Sequence, residues 1–112
     1  MADPSSTTLR LILTSCSGAE EAERIAHALV ESQVAACVTL VPGARSIYRW
    51  EGAVESATEV LLVIKTGCAQ VGSVEELIGR LHSYAVPELL VLDVSGASGP
   101  YFDWLTGSLK QG

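Results

Sequence analysis

Residues 34–66, VAACVTLVPGARSIYRWEGAVESATEVLLVIKT, set the strictest limit on any fold this chain adopts. Two strand-like runs, Val34–Trp50 and Ala53–Thr66, flank a Glu51-Gly52 turn. Gly52 supplies the positive φ that a two-residue hairpin turn demands. Between Arg45 and Trp50 the side chains alternate: Arg45, Ile47 and Arg49 point one way, Ser46, Tyr48 and Trp50 the other. The stretch Val60–Ile64 is continuously apolar, as in a strand buried on both faces. Seventeen residues at about 3.3 Å each span roughly 55 Å. A domain of this size has an expected radius of gyration of about 13 Å, hence a diameter near 35 Å. Pro42-Gly43 is expected to bulge the first arm, yet an overhang carrying Ile47, Tyr48, Trp50 and Val54 remains. An uncovered overhang invites aggregation, so a homo-oligomer built on the hairpin is expected.

The chain has 112 residues, enough for one domain with one core. Residues 1–8 read as a disordered tail and 9–112 as a single domain. Aromatic residues make up only 5%, so the core is expected to be Val, Leu, Ile and Ala. A net charge of −6 argues against a phosphate-tracking nucleic-acid binder. No run is long and apolar enough for a membrane span, and residues 1–8 lack a signal-peptide pattern. The expected location is cytoplasmic. Cys16, Cys37 and Cys68 are odd in number and lack CxxC spacing, so reduced thiols are expected.

In chain order, Leu9–Ser15 reads as a strand with Leu9, Leu11 and Leu13 on one face. Ser17 and Glu20 read as a capping box for a helix running to about Ser32. Its buried stripe is Ala22, Ile25, Ala26 and Leu29, while Glu20, Glu21, Glu23, Arg24 and Glu31 face solvent. Ser73 and Glu76 form a second capping box, for a helix to about His82 that buries Val74, Leu77, Ile78 and Leu81. Ser83–Pro87 is a connector, Leu89–Val94 a core strand, and Pro100–Leu109 a short last helix. The order β-α-β-β-α-β defines an α+β, ferredoxin-like split βαβ fold: a four-stranded antiparallel sheet with two helices on one face, plus a C-terminal helix.

That fold does not decide function. The strand ATEVLLVIKT offers no aromatic platform for RNA. Cys16 has no second cysteine at the CxxC spacing that a copper-carrier loop requires, and Thr14–Gly18 has no base to cradle an acyl phosphate. The segments LVESQVAACVTLVPGARSIYRWEG (29–52), EVLLVIKT (59–66) and HSYAVPELLVLDV (82–94), with TSCS near position 16 and YFDWL at 101–105, resemble the CutA family of divalent-cation-tolerance proteins. The likeness covers nearly the whole chain, and the string from Ala35 to Gly52 is highly specific. Two positions depart from it: Ser83 and Ala85 stand where the family commonly has Pro and Glu. The resemblance implies a homotrimer whose hairpins extend sheets between subunits, with tolerance to copper and other divalent cations as its function. It implies no enzymatic activity and no organic cofactor. It also implies a likeness to the trimeric PII signalling proteins, hence a small-metabolite sensor or a trimeric scaffold for partner proteins as alternatives.

Thiolate and imidazole suit copper or zinc, which makes Cys16, Cys37 and His82 the candidate ligands. None shows the paired spacing of a structural metal site. Cys37 also reads as a small buried hydrophobe, Cys16 as an accessible loop thiol, and His82 as a cap on the preceding helix. Cys68 reads as incidental and His27 as surface. A second candidate is a subunit cleft built from Tyr48, Trp50, Glu59, Lys65, Tyr84 and Glu88. Lys65 and Glu88 also read as an ion pair that fixes register, and Tyr48 and Trp50 as interface anchors.

Overall fold

Alternation, helical periodicity and turn chemistry each leave their mark on the architecture. The computed structural model describes residues 7–110. The elements are β1 (Leu9–Cys16), α1 (Ala19–Glu31), β2 (Cys37–Trp50), β3 (Ala53–Gly67), α2 (Val71–Leu81), β4 (Leu90–Asp93) and α3 (Gly99–Gly107). The strands form one antiparallel sheet in the order β2-β3-β1-β4. This is the split βαβ arrangement expected from the element order.

In α1 the apolar residues Ala22, Ile25, Ala26 and Leu29 recur at helical spacing and are all buried. They meet Val74 and Ile78 of α2 and the sheet residues Ile12, Cys16, Val60, Leu62 and Ile64 in the main core. Leu77 and Leu81 are only half-buried at its edge. In β1 the core-facing set is Ile12, Thr14 and Cys16, all fully buried. Leu11 and Leu13 lie on the other face, half-covered, and Leu9 joins a second cluster with Ala36, Leu105 and Leu109. The run Val60–Ile64 alternates between buried and half-buried, because only one face of the sheet carries α1 and α2.

The helix starts differ from the capping boxes expected at Ser17 and Ser73. The N-cap of α1 is Gly18, extended at φ −155°, with no side-chain cap. A single 3-10 turn, Cys68–Gln70, leads straight into α2, which begins at Val71. Ser98 caps α3, its hydroxyl accepting the Tyr101 N–H at 3.4 Å. The last strand is a four-residue edge strand, not a core strand: Leu90, Val91 and Leu92 are 56%, 44% and 41% exposed.

Glu51 and Gly52 both have positive φ, 49° and 82°, as a type I′ hairpin turn requires. The register slips by one residue between Val41 and Ala44, where Gly43 has φ 75°. The Pro42-Gly43 bulge is thus present. The long axis measures 49 Å against 28 and 22 Å, and the radius of gyration is 15.0 Å, above the roughly 13 Å of a rounded domain. The distal hairpin accounts for the excess: Ile47, Trp50 and Val54 are 72%, 62% and 67% exposed. The expected tail falls partly on residues 1–6, outside the described residues. Thr7 and Thr8 are tied to the sheet, the Thr7 hydroxyl donating to the Val94 carbonyl and the Thr8 carbonyl accepting the Cys68 N–H.

Candidate functional site

Three chain segments meet at one end of the sheet. The last residues of β1 supply Ser15 and Cys16, the first turn of α1 supplies Glu21, and the connector after α2 supplies His82, Ser83 and Tyr84. Cys16 is the last residue of β1 and fully buried, not an accessible loop thiol. Its Sγ lies 3.8 Å from His82 Nε2. His82 is 9% exposed and does not cap α2 with its ring. Its Nε2 donates to the Ser15 carbonyl at 2.7 Å, and its Nδ1 accepts the Tyr84 N–H at 3.0 Å. This pair of bonds assigns the ring hydrogen to Nε2 and the lone pair to Nδ1.

Glu21 belongs to this group, although its charge reads as solvent-facing in the sequence. It is 9% exposed. Glu21 Oε2 accepts the Ser83 N–H at 2.7 Å, while Oε1 is buried without a hydrogen-bond partner. Its neighbours Ala22 and Ile25 were the available signal: position 21 flanks the apolar stripe one turn before Ile25. One ligand atom from each of Cys16, Glu21 and His82 lies within 4.8 Å of the others.

The electrostatics follow from burial. Desolvation, with the carboxylates of Glu21 and Glu59 adding to it, pushes the Cys16 thiol up to about 11. Burial alone raises the Glu21 carboxyl, but the Ser83 hydrogen bonds, His82 and Arg24 outweigh it and leave it below the ordinary value. Glu59 forms the outer wall. Its Oε2 accepts the Tyr84 hydroxyl at 3.1 Å and the Ser15 hydroxyl at 3.4 Å. Burial, then the Glu59 contact, pushes the Tyr84 phenol up. The Tyr84 and His82 rings pack at 4.8 Å between centroids.

The remaining residues singled out in the sequence lie elsewhere. Cys37 pairs with Lys65 on the face of the sheet opposite Cys16, with Lys65 Nζ 3.8 Å from Cys37 Sγ. It is half-buried there, and β-strand alternation keeps it from the Cys16 group. Lys65 also donates to the Thr39 hydroxyl and has no carboxylate within ion-pair reach among the described residues, so the Lys65–Glu88 pair does not form within the chain. Glu88 is exposed ahead of β4. Glu59 and Lys65 are six residues apart on β3, roughly 20 Å. Of the six cleft residues, only Glu59 and Tyr84 are hydrogen-bonded to each other; Tyr48 and Trp50 stand exposed on the distal hairpin. Cys68 is exposed, and His27 is exposed between Glu23 and Glu31.

The class is thus an α+β, split βαβ subunit with an overlong hairpin and a buried thiol–imidazole–carboxylate group at the end of β1. The model of the family "CutA1 divalent ion tolerance protein" matches residues 10–108. A divalent-cation tolerance protein CutA from Pectobacterium atrosepticum is 46% identical over 89 residues, covering 80% of this chain and 81% of that protein. The crystal structure of CutA from Xylella fastidiosa superposes with a TM-score of 0.90 at 36% identity, covering 93% of this chain and 100% of the other. The periplasmic divalent cation tolerance protein CutA from Archaeoglobus fulgidus superposes at 0.87 with 31% identity, covering 91% and 99%. The chain belongs to the CutA1 divalent ion tolerance family.

Proposed function

We propose that this chain is a non-enzymatic, cytoplasmic, homotrimeric cation-tolerance protein that holds a metal ion, copper foremost, at Cys16, Glu21 and His82. The observation that carries the reading is the buried, unpartnered Glu21 Oε1 beside a thiol and an imidazole. A buried carboxylate oxygen with no donor is costly unless a cation meets it. Thiol, imidazole and carboxylate together suit copper or zinc better than calcium or magnesium, so the residues present fit such an ion. The test is calorimetric titration of the reduced protein with Cu(I), Cu(II) and Zn(II). The expected result is one ion per chain, with affinity at least about tenfold weaker in Glu21→Gln and in Cys16→Ser. Equal affinity in all three proteins would overturn this assignment of ligands.

The trimer rests on the exposed outer edges of β2 and β4, the uncovered face of the sheet and the overhanging hairpin. A specific observation also favours a metabolite-sensing role. Glu59, 8% exposed, gathers the Ser15 and Tyr84 hydroxyls next to the open face. A thermal-shift screen against small metabolites tests that role: a hit that stabilises the protein and loses its effect in Glu59→Gln supports it.

A further inference from the structure

The ring of His82 has no idle nitrogen. Nε2 donates to the Ser15 carbonyl at 2.7 Å and Nδ1 accepts the Tyr84 N–H at 3.0 Å. Glu21 is different: Oε2 is engaged by the Ser83 N–H, but Oε1 is free of partners. A metal ion needs a lone pair from the imidazole, and the nitrogen facing Cys16 is Nε2, at 3.8 Å from Sγ. That lone pair becomes available only when the ring hydrogen moves from Nε2 to Nδ1. With hydrogen on Nδ1, the Tyr84 N–H faces another donor and loses its acceptor. Turning the ring over so that Nδ1 faces Cys16 removes the same acceptor. Glu21, by contrast, can offer Oε1 and keep its bond to Ser83.

We infer that filling the Cys16–Glu21–His82 group releases the connector at Tyr84 while leaving it anchored at Ser83, so that residues 84–87 report metal occupancy at the protein surface. The inference rests on the metal assignment above. The connector is built to respond. Its backbone is irregular between α2 and β4, Val86 is 89% exposed, and Tyr84 reaches back to Glu59 through its hydroxyl. Once the Tyr84 N–H is free, the His82–Tyr84 ring contact and the Tyr84–Glu59 bond lose the backbone anchor that aligns them. The signal passes from a buried ligand to an exposed loop through one hydrogen bond.

The experiment follows the full chain by NMR, without metal and with saturating Zn(II), which is diamagnetic and redox-inert. Amide exchange is read at Ser83 and Tyr84, and the hydrogen position is read from the ring nitrogens of His82. Zinc is expected to speed exchange at Tyr84 roughly fivefold to tenfold, the worth of one ordinary hydrogen bond, and to leave Ser83 unchanged. The ring hydrogen is expected on Nε2 without zinc and on Nδ1 with it. In His82→Ala, Tyr84 exchanges fast from the start and does not respond. Calorimetry on the same samples separates the two readings. Zinc binding with Tyr84 still slow, or with the hydrogen still on Nε2, overturns the connector mechanism alone. No zinc binding overturns the metal assignment and the mechanism with it.

Discussion

Thr14 is fully buried on the core face of β1, and its hydroxyl has no hydrogen-bond partner. A hydroxyl stripped of water without compensation costs free energy, while a methyl of the same shape does not. Thr14→Val is therefore expected to raise stability by about 1 kcal/mol, read as a higher urea midpoint with an unchanged slope. Two positions on, Cys16 shows how burial acts on a titratable group. Its thiol is held at about 11 in the folded chain against 9.0 for an ordinary thiol. A raised folded-state value means that the folded chain keeps its proton more tightly than the unfolded chain. The associated stability is whole below pH 9 and declines as pH rises through about 11. Urea denaturation across that window is expected to show the decline in the parent protein and a shallower one in Cys16→Ser. At neutral pH, a thiol reagent applied to the native protein is expected to label the exposed Cys68 and to spare Cys16.

Elements with a local cause were legible in the sequence. The stripe Ala22, Ile25, Ala26, Leu29 and the Glu51-Gly52 turn each follow from periodicity or backbone chemistry within a few residues. Features with a distant cause were not. Glu21 is buried because the connector, 62 residues away, folds its Ser83 N–H onto the carboxylate. The start of α2 escaped because a 3-10 turn at Cys68–Gln70 winds the chain before the Ser73 signal is reached. Cys16 and Cys37 look alike in sequence, yet the pairing register sends them to opposite faces of one sheet. The turn itself offers a test at this scale. Glu51 occupies the left-handed region at φ 49°, which Asn tolerates better than Glu. Glu51→Asn completes an Asn-Gly turn and is expected to add about 0.5 kcal/mol, measured as a rise in Tm.

At the scale of the molecule, the apolar run Leu90–Leu92 is exposed in the isolated chain, as are Ile47, Trp50 and Val54 at the far end of the hairpin. A run of this composition normally signals cover on both faces. Within one chain α1 and α2 cover one face only, and α3 covers just the end of the other, where its Phe102 and Leu105 join the cluster of Leu9 and Val94. The proposed trimer supplies the missing cover. Sedimentation of the parent protein at micromolar concentration is expected to give a single trimeric species. Trp50→Glu is expected to shift it towards smaller species and lower Tm, because a charge would replace an apolar anchor at the contact. A parent protein that sediments as one chain while staying soluble would overturn the trimer.

The single slipped residue beside Gly43 decides which chemistry the hairpin shows to each side. Strand side chains keep strict odd–even phase, and the slip inverts that phase for everything beyond it. Ahead of it, odd-numbered Cys37, Thr39 and Val41 share the uncovered side of the sheet; beyond it, even-numbered Ser46, Tyr48 and Trp50 take that side. Losing the slip while keeping Gly43 would rotate the whole outer arm by half a turn. Arg45 and Arg49 would then stand in line with Leu61 and Val63, and the aromatic pair would face away.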